Sequence, residues 1–110
     1  MTTPIFGNKP KKATMYLARD ADFIHDIEPE LEAYPTGMEA WFEILNAAGT
    51  ELATWPAVVT SNKAAWNVQS DAVGGVNAVT GATKFRLFLR LDEDPTREYL
   101  WYYGSIKWEQ

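Results

Sequence analysis

Apolar and polar residues alternate along most of the chain from Thr14 onward, and this period of two is its most constraining feature. In one clear segment, Phe85, Leu87 and Leu89 are separated by single residues such as Arg86. Successive side chains of a strand point to opposite faces, so the pattern is typical of half-buried β-strands. Such segments recur with turn residues between them. The sequence predicts an all-β fold, a small antiparallel β-sandwich that is Ig-like with about seven or eight strands.

One stretch departs from the period of two. Val73, Val76 and Val79 are spaced by three, and Ser70 and Asp71 precede them. Serine and aspartate are favoured at helix N-termini because their side chains accept backbone hydrogen bonds there. We expect one short helical crossover in this region, capped by those two residues.

Two residues mark expected irregularities within strands. Pro56 lacks a backbone N–H and should break or bulge the strand that it ends. Gly104 interrupts the last apolar segment of the chain, as a residue at a bulge does.

The first residues read differently from the rest. Pro4, Gly7 and Pro10 prevent a regular ladder, so residues 1–12 are predicted to form an extended N-terminal arm and residues 13–110 the sandwich domain. Ile5 and Phe6 are the large apolar groups of the arm. They either pack against the edge of their own domain or dock on a neighbouring subunit.

The charge distribution bears on possible partners. The net charge is −5, yet the arm carries three lysines and no acid. Without those lysines the ten basic residues become seven against fifteen acidic ones, so the body carries about −8. An acidic body repels phosphate backbones, and we expect no nucleic-acid partner. Neither an apolar run of membrane-spanning length nor a signal-peptide layout is found, so we expect a soluble cytoplasmic product without a membrane partner.

The sequence lacks the residues that several catalytic and metal-binding motifs would require. His25 is the single histidine and the chain has no cysteine, so no multi-histidine or thiolate site can form. His25 is expected to be a partly buried, hydrogen-bonded structural residue. A calcium loop counted from Asp20 would place His25 where glycine is required and Leu31 where glutamate is required. We therefore expect no enzyme, no metal and no cofactor.

The segment Tyr99–Tyr103 is the strongest functional signal, because large flat side chains occupy both alternating sets. In a sandwich only one face of a strand can be core, so either Tyr99, Trp101 and Tyr103 or Leu100 and Tyr102 should point outward. Outward rings are either shielded by loops or available to a partner. The candidate protein-interface residues are Ile5, Phe6, Trp41, Tyr99, Trp101 and Tyr103.

Several segments together resemble one family. These are Phe6–Pro10, a Met15-Tyr16-Leu17 strand, the run Asp20–Ile24, and the closing segment Leu100–Lys107. In order and in turn residues they resemble the small β-sandwich domain of actinobacteriophage tail-associated proteins, the LtfC-like group. The resemblance spans nearly the whole chain. Members carry glycine where Asp20 stands here and often tryptophan where His25 stands.

The resemblance implies a phage virion structural protein, tail-associated or in another part of the particle, located in the virion. Its partners would be other phage structural proteins in a homo-oligomeric or symmetric assembly. Two alternatives stay open. One is a carbohydrate-binding module that contacts the host envelope through Trp41, Trp101 and Tyr103. The other is an adaptor or inhibitor that binds a host protein through the acidic body.

Overall fold

The computed structural model describes residues 10–29, 33–91 and 97–109, which form two packed β-sheets. The fold is a small β-sandwich, as predicted. Its strands are β1 (Lys11–Ala18), β2 (Phe23–Ile27), β3 (Glu39–Leu45), β4 (Glu51–Pro56), β5 (Val58–Val59), β6 (Ala64–Val68), β7 (Lys84–Leu91) and β8 (Arg97–Glu109).

One sheet has five strands in the order β1-β8-β7-β3-β4, and the other has three in the order β2-β6-β5. Most neighbouring strands are antiparallel. The exception among the described strands is β1, which runs parallel to β8 from Lys11 opposite Tyr102 to Ala18 opposite Glu109. The first and last strands of the domain are therefore neighbours, and the larger sheet is mixed rather than purely antiparallel.

The core lies between the two sheets and follows the predicted alternation. Phe42 and Ile44 of β3 are buried, as are Phe85 and Leu87 of β7. From the smaller sheet Trp66 enters the core, with its ring centroid 4.6 Å from that of Phe42. Burial of these apolar side chains supplies the main stabilisation of the sandwich.

Pro56 lies where the chain changes sheets. It is the last residue of β4 in the larger sheet, and Val58 already belongs to β5 in the smaller one. Between them, the Ala57 N–H donates to the Ala40 carbonyl at 2.8 Å. The predicted break at Pro56 is therefore a corner of the sandwich.

The crossover after β6 contains a 3-10 turn, Val76–Val79, rather than a capped helix. Val76 and Val79 are fully buried, whereas Val73 is fully exposed. The expected caps are absent, because the turn begins after Gly75 with no side-chain cap. Gly75 lies too close to the Gln69 and Ala72 backbone to carry a side chain, so tight local packing sets where the turn starts.

The irregularity in β8 is at Trp101 and not at Gly104, where it was expected. Tyr102 pairs with Leu87 while Leu100 pairs with Phe88, so Trp101 is an extra residue without a partner on β7. Gly104 is paired regularly with Phe85. Glycine is required at position 104 for a different reason, because a Cβ there would lie 1.7 Å from the Ala13 carbonyl oxygen of β1.

A pair of polar contacts fixes the turn between β1 and β2 to the crossover. Asp20 has a positive φ of 63°. Its N–H donates to Asn77 Oδ1 at 2.9 Å, and Asn77 Nδ2 donates back to Asp20 Oδ1 at 3.0 Å. Asp22 Oδ1 accepts from the Ser70 N–H at 2.8 Å.

No helix in the described ranges has the length and apolar character needed to cross a bilayer.

Candidate functional site

The outer face of the five-stranded sheet carries a pair of aromatic rings at its centre. Trp41 of β3 and Phe88 of β7 are Cα partners on this face. Their ring centroids lie 5.8 Å apart with an interplanar angle of 21°. Both are half-buried, so each still presents apolar surface to the outside.

Two more apolar residues extend this pair across the sheet. Leu100 of β8 is the partner of Phe88, and Pro56 of β4 is the partner of Trp41. Cα partners present their side chains on the same face of a sheet. We call the row Leu100, Phe88, Trp41 and Pro56 the transverse stripe, because it runs perpendicular to four neighbouring strands.

Ion pairs border the transverse stripe on both sides. On one side Arg86 contacts Glu43 at 2.7 Å, and on the other Arg90 contacts Glu39 at 2.5 Å. Glu98 lies 3.8 Å from Arg90. Exposed ion pairs of this kind contribute only about 0–1 kcal/mol each to the stability of the fold.

The two guanidinium groups also cover the rings. Arg90 lies 5.8 Å from the ring centroid of Trp41, and Arg86 lies 5.5 Å from that of Phe88. Such contacts are worth about 0.5–1 kcal/mol at exposed sites. Each arginine is therefore held by a carboxylate and by a ring, which fixes the arrangement of charges around the transverse stripe.

A shallow hollow of about 320 Å³ lies at the β4 end of the transverse stripe. Trp41 and Pro56 line it, together with Thr54, Ala57 and Arg90. The hollow gives this end of the face a concave, partly apolar surface.

The predicted interface residues do not all lie on one face. Trp41 belongs to the transverse stripe, and Tyr103 is on the same face, beside Arg86 in register and 39% exposed. Tyr99 pairs with Leu89 and lies on the other side of the sheet. Ile5 and Phe6 lie outside the described residues. The interface role of Ile5 and Phe6 stays a prediction.

Trp101 points to the core side because of the bulge. It packs against the core cluster, as its neighbour Tyr102 does. Its ring meets that of Tyr34 edge-on at 6.2 Å. A bulge places two consecutive side chains on one side of a strand, so the two outward sets expected from simple alternation do not exist. The three-ring sugar platform of Trp41, Trp101 and Tyr103 is consequently not assembled.

Sequence reasoning missed three contributors to the site. Phe88, Arg86 and Arg90 alternate with the buried Phe85 and Leu87, which predicts a solvent-facing position but gives them no role. An aromatic ring between two arginines on a solvent face was the signal that could have found them, because such rings are common interface residues.

A second surface feature is a cleft of about 630 Å³ between β1 and β2, which are edge strands of the two sheets. Met15, Phe42, Phe85 and Leu87 are among its apolar lining residues, and Asp22, Asp26 and Glu28 are its acidic ones. This side of the sandwich is open.

His25 lines the same cleft, and its environment differs from the expected one. The side chain is exposed rather than partly buried. It makes ring contacts with Phe23 at 6.1 Å and with Trp66 at 6.4 Å. Strand β2 is at an edge of the smaller sheet, and this leaves its central residue open to solvent. Within the described ranges, no three histidine, aspartate or glutamate side chains come together as a metal site would require.

Comparison with known proteins identifies a family. The family model described as "LtfC-like, beta-sandwich domain" matches residues 9–109. No curated protein and no solved structure matches the chain. The match covers both sheets and includes every residue of the transverse stripe and of the cleft.

Proposed function

We propose that this chain, which belongs to the LtfC-like β-sandwich family, is a structural protein of a phage particle, tail-associated or elsewhere in the virion. In this proposal it has no catalytic activity and works by binding other particle proteins, further copies of itself included. Family membership supports the phage association, and the geometry of the outer sheet face supports the mode of action.

The observation that carries the proposal is the transverse stripe with its flanking ion pairs. Aromatic and arginine side chains are enriched at protein interfaces, and a central apolar patch with a polar rim is the usual interface layout. Trp41 and Phe88 provide the centre, and Arg86 and Arg90 with their carboxylates provide the rim. All of them stand on paired strands, so little side-chain order has to be gained on binding.

The cleft between β1 and β2 supports a second contact, made by the N-terminal arm of a neighbouring copy. The arm brings Ile5, Phe6 and Lys9 and no acid, whereas the cleft has an apolar interior and three acidic residues along its lining. An extended segment can also pair with an exposed strand edge through main-chain hydrogen bonds. Strand β1 offers such an edge.

Purified particles of the phage that encodes this chain test the proposed function. We expect quantitative mass spectrometry to find the chain at a fixed copy number per particle, and a particle map to locate it. Particles that lack the chain while infectivity is normal would contradict a structural role.

The stripe itself is tested by Trp41→Lys introduced into the phage. A buried lysine ammonium at the centre of an interface is costly, so we expect at least a tenfold loss of incorporation into particles. Val58→Lys is the matched control, because Val58 is 71% exposed on the other sheet. Equal incorporation of both variants would argue against the outer face as the contact surface.

A further inference from the structure

We infer that the outer face of the five-stranded sheet binds the same face of a second copy, forming a two-fold symmetric dimer. The inference names a partner for the surface on which the proposed function rests. It rests on the arrangement of charges and rings on β7 and β3. When a second copy is turned by a half-rotation about an axis parallel to these strands, its positive groups face the negative groups of the first copy.

The arrangement is a set of matched opposites. On β7 the outward residues are Arg86, Phe88 and Arg90, and their Cα partners on β3 are Glu43, Trp41 and Glu39. One strand is therefore positive-aromatic-positive and its neighbour is negative-aromatic-negative. The line midway between the two strands separates the two signs.

A two-fold axis parallel to the strands, placed over that line, exchanges β7 with β3. Arg86 of one copy then faces Glu43 of the other, and Arg90 faces Glu39. Phe88 faces Trp41. Each ion pair within a copy becomes part of a four-charge cluster of alternating sign, with the four rings packed between the two clusters.

The other in-plane two-fold axis, along the transverse stripe, is excluded by charge. It would place Arg86 against Arg90 and Glu43 against Glu39. Like charges placed opposite each other across an interface oppose association, so the charge pattern favours the axis parallel to the strands over the axis along the transverse stripe.

The outer strands fit the same axis. The rotation also exchanges β8 with β4, because these strands flank β7 and β3 in the sheet. Leu100 of one copy then faces Pro56 of the other, at the hollow lined by Trp41 and Pro56. A half-buried leucine thus meets a hollow of about 320 Å³. No like charges among the paired outward residues come to face each other.

The size of the shared face indicates a weak interface. The rotation overlaps four strands, β8, β7, β3 and β4, because β1 has no counterpart beyond β4. Spaced about 4.8 Å apart and seven residues long, these strands make a face of roughly 19 by 23 Å, with a projection of roughly 440 Å² per copy, which is typical of weak, transient contacts. We expect a reversible dimer in the micromolar range. Sheets packed face to face also cross at about −30°, which preserves the contacts best near the axis, where the charges and rings lie.

Analytical ultracentrifugation of the purified chain from micromolar to near-millimolar concentration is the first test. We expect the mass to rise to twice that of the chain. Phe88→Lys should raise the dissociation constant at least tenfold, with its circular dichroism and unfolding transition retained. A wild-type chain that stays monomeric over the whole range overturns the inference, and so does a dimer that persists in the Phe88→Lys variant.

Charge reversal provides a test of orientation. An acidic-faced variant, R86E with R90E, and a basic-faced variant, E39R with E43R, should each be monomeric because like charges face each other. Mixed together they should form a one-to-one heterodimer. The matched control is D26K with K63D, which reverses an ion pair of the smaller sheet (3.6 Å in the structure) and should leave the wild-type dimer intact. A mixture that does not associate overturns the inference.

Cross-linking removes any dependence on how well the reversed variants fold. The natural chain has no cysteine, so introduced thiols react alone. A mixture of E43C and R86C chains should be joined by a short bismaleimide, whereas E43C mixed with K63C should not. Absence of the first product overturns the two-fold arrangement.

The particle experiment separates this inference from the proposed function. If R86E with R90E abolishes the dimer but the chain still enters particles, the structural role stands, and the dimer forms no part of it. If the purified dimer forms while the chain is absent from particles, the proposed function fails and the self-association stands.

Discussion

At Asp20 the backbone adopts a conformation that glycine reaches at no steric cost, with φ at 63°. The resemblance to the LtfC-like group implies glycine at this position. Here Asn77 Nδ2 donates a hydrogen bond to Asp20 Oδ1, a contact that glycine could not make, and this bond compensates for the less favourable residue. Aspartate is among the residues best tolerated in this region, because its short side chain can make such local bonds. The departure is therefore explained by a contact that the sequence alone did not reveal.

Gly104 carries the opposite kind of constraint, one of space rather than of backbone angle. A Cβ at this position would lie 1.7 Å from the carbonyl oxygen of Ala13 and 2.8 Å from its carbonyl carbon. Both atoms belong to the backbone of β1, which cannot turn away as a side chain can.

Gly104→Ala should therefore destabilise the domain. Strand β1 would have to shift away from β8, and overpacking of this type costs about 3 kcal/mol. Urea unfolding followed by tryptophan fluorescence measures the change in the free energy of unfolding. Gly81→Ala is the matched control, since nothing lies within 4 Å of a Cβ there. Equal stability of the two variants would contradict the close approach.

Strand β8 shows what alternation can and cannot predict about an element. The faces of β3 and β7 followed from the sequence, because their charged residues, such as Arg86 and Arg90, all fall in one alternating set, opposite apolar residues such as Phe85. Both alternating sets of Tyr99–Tyr103 are large and apolar, so no periodic signal marks the core side. The bulge at Trp101 is defined only by pairing with β7, a contact distant in sequence.

The same limit applies to the candidate site. Trp41 shares its alternating set with Glu39 and Glu43, which favours an outward position, whereas the face of Tyr103 stayed open between the two sets of Tyr99–Tyr103. The transverse stripe was not identified, because it depends on the order β8-β7-β3-β4 and on the register between those strands. Local patterns give the face of each strand, but a row across strands exists only after they pair.

Trp101→Ala tests the bulge at the level of the element. Because the half-buried Trp101 ring packs against the core cluster and Tyr34, we expect a loss of about 2 kcal/mol in the free energy of unfolding. Tyr103→Ala is the control on the same strand, and its outward ring should contribute less than about 0.5 kcal/mol. The reverse ranking in thermal or urea unfolding would mean that the ring of Trp101 points outward.

In the whole molecule, the two candidate surfaces are independent. The transverse stripe lies on the outer face of the larger sheet, and the cleft opens between the edge strands β1 and β2. No residue belongs to both. A chain paired through the stripe therefore still presents its cleft to an arm from another copy. Two distinct contacts per chain are the minimum for an assembly larger than a closed pair.

Deletion of residues 1–9 tests the arm. Lys11 already pairs with Tyr102, so a cut placed before Pro10 leaves β1 complete. We expect the free energy of unfolding to change by less than about 0.5 kcal/mol, while incorporation into particles falls at least tenfold. Calorimetry of the purified domain and mass spectrometry of particles give the two readings. Normal incorporation of the shortened chain would show that the arm has no part in assembly.

The parallel pairing of β1 with β8 determines how the domain responds to mechanical force. Lys11 and Glu109 lie at opposite ends of the paired segment. A force that pulls the two ends of the domain apart would act along these strands in shear, and would load the hydrogen bonds of the whole ladder together. An antiparallel pair pulled in this way would instead open one bond at a time. The strand order thus places the whole β1–β8 ladder in shear under such a force, the geometry in which its hydrogen bonds resist together.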